Sequence, residues 1–248
     1  MNITEKERIK FYEDLLSWTG EQNLGVVMAE ALGGGNPESV FATAPGSTMK
    51  SRHHAFRGGL MVHCAEVFAI TSNAMASLKG YGAAPWSSHQ MHEVFLAAML
   101  HDMNKVEDFS RRPLYIPNTL KGGNISDAKP WKRNEEFFKV DPPRLVDSEK
   151  DRFIADILQD STEVLGDGRI SLALVNAKYP DLYHFLGDDV KQAIEIHDGG
   201  YSAKRSGFSG SECQLAIALH YGDMISSRQT INNSTNWETV IGEIPAVE

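Results

Sequence analysis

The chain of 248 residues is long enough for one large domain with a sizeable hydrophobic core. Its 42% hydrophobic and 23% charged residues are ordinary proportions for a globular protein, and its net charge of −9 argues against a surface that holds long nucleic acid through many phosphates. No apolar stretch approaches the roughly 18–20 residues needed to cross a bilayer, and residues 1–16 lack the pattern of a signal peptide. We therefore expect a cytoplasmic protein with no membrane partner.

Helical periodicity dominates the sequence, and no convincing run of alternating apolar and polar residues predicts a strand. Thr4 and Glu7 resemble a capping box at the start of the first helix. A Gly/Pro/Ser-rich connection separates the second predicted helix from the third, and a weakly patterned tail follows the last. The pattern predicts an all-α fold, a single helical bundle domain. Its predicted helices cover residues 4–18, 24–32, 60–79, 89–105, 148–165, 170–177, 188–197 and 211–227.

Residues 109–146 interrupt this pattern and predict a long ordered loop insertion, a length that usually marks a functional or mobile segment. Within it, residues 109–144 contain eight Lys or Arg against four acids, a local excess of four positive charges in an acidic chain. Two interpretations stay open. The segment is either a solvated loop with scattered charge or a basic flap that draws a phosphorylated substrate toward the active site.

Three predicted helices each place a metal-binding type of side chain on the apolar face: His63, the pair His101–Asp102, and Asp223. Histidine and carboxylate groups are costly to bury without a partner, and one such histidine alone is more often a core residue. Three helices together favour a shared divalent cation. Adjacent helical residues point about 100° apart, so His101 and Asp102 reach one ion only near a helix end. Imidazole and carboxylate ligands suit Mn²⁺, Mg²⁺, Fe²⁺ or Zn²⁺ and do not select among them.

The order H…HD…D resembles the signature of the HD superfamily of metal-dependent phosphohydrolases. The similar segments span about residues 50–228. They resemble phage and bacterial HD phosphohydrolases and the HD domain of 3′→5′ exoribonucleases that join an OB fold to an HD domain. These segments are HHAFRGGLMVHCAEV (53–67), AAMLHDMNKVEDF (97–109), EIHDGGY (195–201) and LAIALHYGDMISS (215–227).

The resemblance implies an HD domain at 51–228, between a helical extension at 1–50 and a tail at 229–248. It implies that the metal ligands are His63, His101, Asp102 and Asp223.

The same resemblance implies a second role for Asp102 and roles for two further residues, Lys105 and His197. Asp102 would also orient the nucleophile, Lys105 would lie near the phosphate, and His197 would face the substrate or a second ion. His197 is also our candidate for protonating the leaving oxygen. Alternatives without a catalytic role stay open for both residues. Lys105 is then an ordinary lysine that the helix dipole favours at a helix C-terminus, and His197 is a histidine of the core. The proposed cations that bind substrate phosphate are Arg52, Arg57, Arg111 and Arg112.

Two departures from the family pattern matter. The segment DPPRLVDSEKDRF (141–153) keeps the Ser-Glu-Lys of a related family segment but not its histidine, which lowers the expectation of a second, histidine-bound metal. Residues 1–50 look helical, so the OB fold that holds single strands in the exoribonucleases is not predicted.

The predicted function is hydrolysis of phosphate esters of nucleotides or related small phosphorylated substrates by attack of a metal-bound hydroxide. One alternative is a 3′→5′ exonuclease on short single strands, which the acidic charge and the lack of a predicted OB fold disfavour. Another is a catalytically silent HD module that binds a nucleotide or a protein.

Overall fold

The structure is a computed structural model that describes residues 3–78, 87–107, 112–136, 167–199, 212–228 and 237–242. Regular structure in these ranges is almost entirely helical, which confirms the all-α prediction. None of the helices in these ranges is long and apolar enough to cross a membrane. The helices are α1 Glu5–Glu21, α2 Gly25–Ala31, α3 Val40–Thr43, α4 Gly59–Leu78, α5 Ser88–Leu100, α6 Asp167–Lys178, α7 Pro180–Phe185, α8 Asp188–Ile196, α9 Gln214–Arg228 and α10 Trp237–Gly242.

The predicted capping box at the start of α1 is confirmed. The Thr4 hydroxyl accepts a hydrogen bond from the backbone N–H of Glu7, and the Glu7 carboxylate accepts one from the backbone N–H of Thr4 at 2.7 Å. Each bond pairs a donor that the first helical turn leaves without an internal partner. The other predicted helices in the described ranges are present with shifted ends, and the one predicted at 148–165 lies outside those ranges.

Three short helices are present that the sequence pattern did not predict. α3 lies in the predicted connection, α7 begins at Pro180, and α10 lies in the predicted tail. Helices of four to six residues are too short to display a hydrophobic period. Trp237 of α10 is nevertheless buried, with its ring 5.7 Å from Phe11 and 5.9 Å from Trp18 between centroids. The tail therefore contributes to the core.

A small hairpin also corrects the prediction that no strand is present. β1 (Tyr115–Pro117) pairs antiparallel with β2 (Trp131–Arg133) inside the predicted loop insertion. Three residues per strand do not produce a recognisable alternation. The Trp131 indole N–H donates to the Ala55 carbonyl at 3.3 Å, and the Lys50 N–H donates to the Ala128 carbonyl at 3.1 Å. The hairpin thus lies against the segment that precedes α4.

One hydrophobic core includes side chains from α1, α2, α4, α5, α8, α9 and α10, so residues of the predicted N-terminal extension share it. The domain boundaries at 50 and 228 stay a prediction. α4 is buried on most of its surface and packs against α5 and α9. A Cβ added at Gly222 would lie 2.4 Å from Thr71 Oγ1 and 3.1 Å from the Val67 carbonyl oxygen. Glycine therefore permits the close approach of α9 to α4.

Candidate metal centre

The pair His101–Asp102 lies at a break in the predicted fourth helix. The prediction that this helix continues to Lys105 is wrong, because α5 ends at Leu100 and a separate 3-10 helix covers Met103–Lys105. His101 caps α5, and Asp102 leaves the helical conformation with φ −107° and ψ 24°. This turn removes the angular separation of consecutive helical residues. Both side chains therefore face one point. This is the arrangement near a helix end that was expected if His101 and Asp102 bind one ion.

The four predicted ligands converge. His63 Nε2 on α4 lies 3.1 Å from Asp223 Oδ1 on α9 and 3.5 Å from Asp102 Oδ2. His101 Nε2 lies 3.4 Å from Asp102 Oδ2 and 3.9 Å from Asp223 Oδ1. We call these four residues the ligand cluster. Ligand atoms of His63, His101 and Asp102 all lie within 4.8 Å of one another.

The free ring nitrogens fit a cation. His63 Nε2 and His101 Nε2 are buried and have no hydrogen-bond partner within the described part of the chain. His101 Nδ1 lies 2.7 Å from the Ala98 carbonyl, which only accepts, so Nδ1 carries the proton and Nε2 the lone pair of the neutral ring. Metal-bound histidines commonly donate their other N–H in this way. Two such nitrogens beside two carboxylates are a donor set for a divalent metal ion.

Electrostatics of the ligand cluster favour positive charge. Burial by itself lowers the pKa of His63, but the neighbouring carboxylates of Asp102 and Asp223 outweigh this effect and raise the pKa to about 9. Burial opposes ionisation of both carboxylates, yet Lys105 and His101 hold the pKa of Asp102 well below its usual range, and His63 lowers that of Asp223. A bound cation would replace the His63 proton, because a metal needs the neutral imidazole.

Lys105 and His197, which the sequence singled out, also lie at the ligand cluster. Lys105 Nζ is 2.6 Å from Asp102 Oδ2, and its side chain is 18% exposed. Burial opposes its charge, but Asp102 and Asp223 raise the pKa of Lys105 above its usual range. His197 is buried, its Nε2 lies 3.8 Å from Asp102 Oδ1, and its ring centroid is 4.9 Å from that of His101. Both groups therefore border the ligand cluster.

A second group, His197, Asp198 and Asp223, also has ligand atoms within 4.8 Å of one another and could hold a metal ion. His197 Nε2 is 3.3 Å from Asp198 Oδ1. The sequence analysis did not single out Asp198, although it follows His197 as Asp102 follows His101. Asp167 lies near by: burial, and then the charge of Asp198, raise the pKa of its carboxyl. The 141–153 segment, on which the expectation about a second metal was based, lies outside the described residues.

His53 and His54 are further residues that the sequence analysis quoted but did not assign to the site. With His63 they form a third group whose ligand atoms lie within 4.8 Å of one another. Burial, and then the charge of His63, lower the pKa of His53 to about 3. Two glycines, Gly58 and Gly59, precede His63 in the chain. Glycine at 59 permits the close approach of the His54 backbone, because a Cβ there would lie 2.0 Å from the His54 carbonyl oxygen.

The structure describes three of the four arginines that were predicted to bind substrate phosphate. Arg52 is exposed and Arg112 is half-buried, whereas Arg111 lies outside the described residues. Arg57 forms ion pairs with Glu38 and, at 3.6 Å, with Glu5. The charge of Arg57 is therefore already paired with two acidic residues of the N-terminal part of the chain. Its role in binding substrate stays a prediction.

Comparisons of the chain with protein-family models, curated proteins and solved structures found no match. The helical fold and the buried His/Asp groups are compatible with the H…HD…D motif.

Proposed function

We propose that the protein is a metal-dependent phosphohydrolase that acts on a nucleotide or a related small phosphate ester. The observation that carries the proposal is the convergence of the ligand cluster, with buried nitrogen lone pairs facing two carboxylates. Lys105 beside Asp102 adds a fixed cation at the same point. This combination suits a reaction in which negative charge increases on phosphate oxygens.

His63, His101, Asp102 and Asp223 would hold Mn²⁺, Mg²⁺, Fe²⁺ or Zn²⁺. When bound, such an ion lowers the pKa of water and polarises phosphoryl oxygens. The protein holds both histidine rings by their other nitrogens, through Ala98 for His101 and Ser226 for His63. The ligands therefore need little reorganisation when an ion arrives.

Three side chains would act on the substrate. Lys105 would stabilise the charge of the phosphate oxygens, and its 2.6 Å contact with Asp102 fixes where its ammonium lies. Asp102 would orient the attacking water. His197 would protonate the leaving oxygen, since burial lowers its pKa less than Asp198, Asp223 and Asp102 raise it.

The distribution of charge along the chain supports the proposed substrate class. The acidic chain places local positive charge in the 109–144 segment, whose described hairpin lies against the loop that carries His53 and His54. A small phosphorylated molecule, such as a nucleotide, needs few cationic contacts. We propose such a substrate, a cytoplasmic location and no stable partner among membranes or long nucleic acids.

The test is a screen of the purified protein with Mn²⁺, Mg²⁺, Fe²⁺ and Zn²⁺ against mononucleotides, cyclic nucleotides and short RNA. We expect phosphate release from at least one small ester. His101→Ala and Asp102→Ala should abolish it and leave the circular-dichroism spectrum unchanged. Stepwise shortening of the RNA with no action on nucleotides would favour the exonuclease instead. Nucleotide binding without turnover under every metal would favour the silent module.

A further inference from the structure

A buried chain of hydrogen bonds runs from the ligand cluster to Glu66. The Ser226 hydroxyl on α9 lies 2.9 Å from His63 Nδ1, and it donates to Glu66 Oε2 on α4 at 2.9 Å. The same carboxylate oxygen lies 2.9 Å from His54 Nε2. Ser226 is fully buried and Glu66 is 4% exposed. Neither residue entered the sequence analysis as a site residue.

The direction of these bonds determines which nitrogen of His63 carries a proton. A hydroxyl has one hydrogen, and Ser226 uses it toward Glu66. Its oxygen then has only lone pairs to offer His63, so Nδ1 must be the donor. In the neutral ring this leaves the lone pair on Nε2, the buried atom that has no hydrogen-bond partner among the described residues.

The position of Glu66 is itself fixed. It lies one helical turn after His63 on α4, and His54 contacts its carboxylate from the preceding loop. The chain therefore joins α4, α9 and the His53–His54 segment around one acceptor. A buried carboxylate with at least two donors is held in one orientation, because any other orientation leaves buried polar atoms unpaired.

We propose that Glu66 and Ser226 are positioning residues that keep the His63 proton on Nδ1 and so present Nε2 to the cation. The inference rests on the metal centre of the proposed function. The two residues do not contact the cation. They act by making Nδ1 the nitrogen that keeps its proton, so that Nε2 is the nitrogen that gives up its proton when the cation binds.

Calorimetric titration with Mn²⁺ alone tests the proposal on the full chain. Ser226→Ala should raise the Kd for Mn²⁺ by about 10- to 100-fold, the effect typical of lost outer partners of a ligating histidine. Glu66→Gln should act in the same direction, since it removes the charge that orders the hydroxyl. Ser226→Thr retains the hydroxyl and should bind within a few-fold of wild type.

Ser227→Ala is the matched control, because its hydroxyl on the same helix bonds to the Met224 carbonyl. It should leave the Kd unchanged. A second readout is ¹⁵N–¹H correlation of the histidine rings in the Zn²⁺-bound protein, where His63 should show a slowly exchanging Nδ1–H that Ser226→Ala makes fast-exchanging. This spectroscopic signature does not depend on a change in overall stability.

The outcomes separate the two proposals. Wild-type affinity in folded Ser226→Ala, or a proton on His63 Nε2 in the Zn²⁺-bound protein, would overturn the positioning role alone. Tight Mn²⁺ binding that depends on Ser226, with no hydrolysis of any ester, would overturn the proposed function and support the positioning role. A wild-type protein that binds no metal would overturn both.

Discussion

Nε2 of His63 lies 3.1 Å from Oδ1 of Asp223, although the two residues belong to helices α4 and α9, which are far apart in the sequence. The contact exists because Gly222, next to Asp223, lets α9 approach α4 more closely than a side chain would permit. A cation held by both residues would cross-link the two helices. Metal binding and folding stability should therefore be coupled.

This coupling gives the first prediction. Mn²⁺ at about 100 times its Kd should raise the free energy of unfolding by about 2.7 kcal/mol, and a chelator should reverse the effect. Asp223→Asn or His101→Ala should remove the stabilisation. Urea unfolding with and without metal measures it. The control is His184→Ala, an exposed histidine bonded to the Pro180 carbonyl, and equal stabilisation of Asp223→Asn would contradict the site.

Removal of the fixed cation beside Asp102 gives the second prediction. Lys105→Gln should reduce kcat for the best substrate by about 10²-fold, because one charge that stabilises the transition state is lost. Lys105→Arg should restore only part of the rate, since a planar guanidinium differs in shape from an ammonium. Steady-state kinetics at saturating metal provide the measurement. A Lys105→Gln enzyme with the wild-type kcat would show that the lysine serves only the folded structure.

The basic segment gives the third prediction. Arg111→Ala/Arg112→Ala should raise KM more than it lowers kcat, because the two charges are proposed to capture substrate rather than to act on the reacting atoms. The difference from wild type should shrink with added salt, which screens charges over about 8–10 Å near physiological ionic strength. Lys6→Ala, an exposed charge on α1, is the control. Unchanged KM at low salt would favour the solvated loop.

The close contact of α4 and α9 gives the fourth prediction. A Cβ at Gly222 would lie 2.4 Å from Thr71 Oγ1, so Gly222→Ala should destabilise the protein by about 1–3 kcal/mol through overpacking. It should also weaken Mn²⁺ binding by displacing Asp223 from His63. Thr71→Ala removes the nearest atom and should partly rescue both properties in the double variant. Additive losses in that double variant would argue against the contact.

Arg8 gives the fifth prediction. Its side chain is fully buried. It donates hydrogen bonds to the carbonyls of Pro37 and Ala42, and these bonds join α1 to the segment before the metal centre. Arg8→Met should cost about 2–4 kcal/mol of unfolding free energy, because the buried Ala42 carbonyl and the partly buried Pro37 carbonyl lose their donor. Chemical denaturation measures this loss, and Lys6→Ala should change stability little.

A pH dependence follows from the ion pair of Arg8 with Glu5, whose Nη2 and Oε1 atoms lie 2.6 Å apart. The hydrogen bond from Arg8 lowers the pKa of Glu5 below its usual 4.5. A depressed carboxyl pKa stabilises the folded state above about pH 4.5, and the contribution is lost as the pH falls toward the folded-state value. Glu5→Gln should therefore lose stability at pH 7 and differ less from wild type in acid. A difference that persists unchanged at low pH would exclude this linkage.

Local periodicity was sufficient to predict the central residues of the site. His63, His101 and Asp223 each align with apolar neighbours at helical spacing, and burial on that face follows from the spacing itself. The structure places all three at one point, together with Asp102. The helical class and the capping box at Thr4 were predictable for the same reason, because both depend on residues within one or two turns.

Other features depended on contacts between distant segments. The β1–β2 hairpin, the buried Trp237, the group formed by Asp198, and the Glu66–Ser226 chain all join residues that no local pattern connects. The sequence by itself determined which side chains each helix turns inward, since that follows from a repeat of 3.6 residues. Only the tertiary structure decided which inward faces meet, because the packing of α4 against α9 depends on shape, on a glycine at 222 and on hydrogen bonds across the interface.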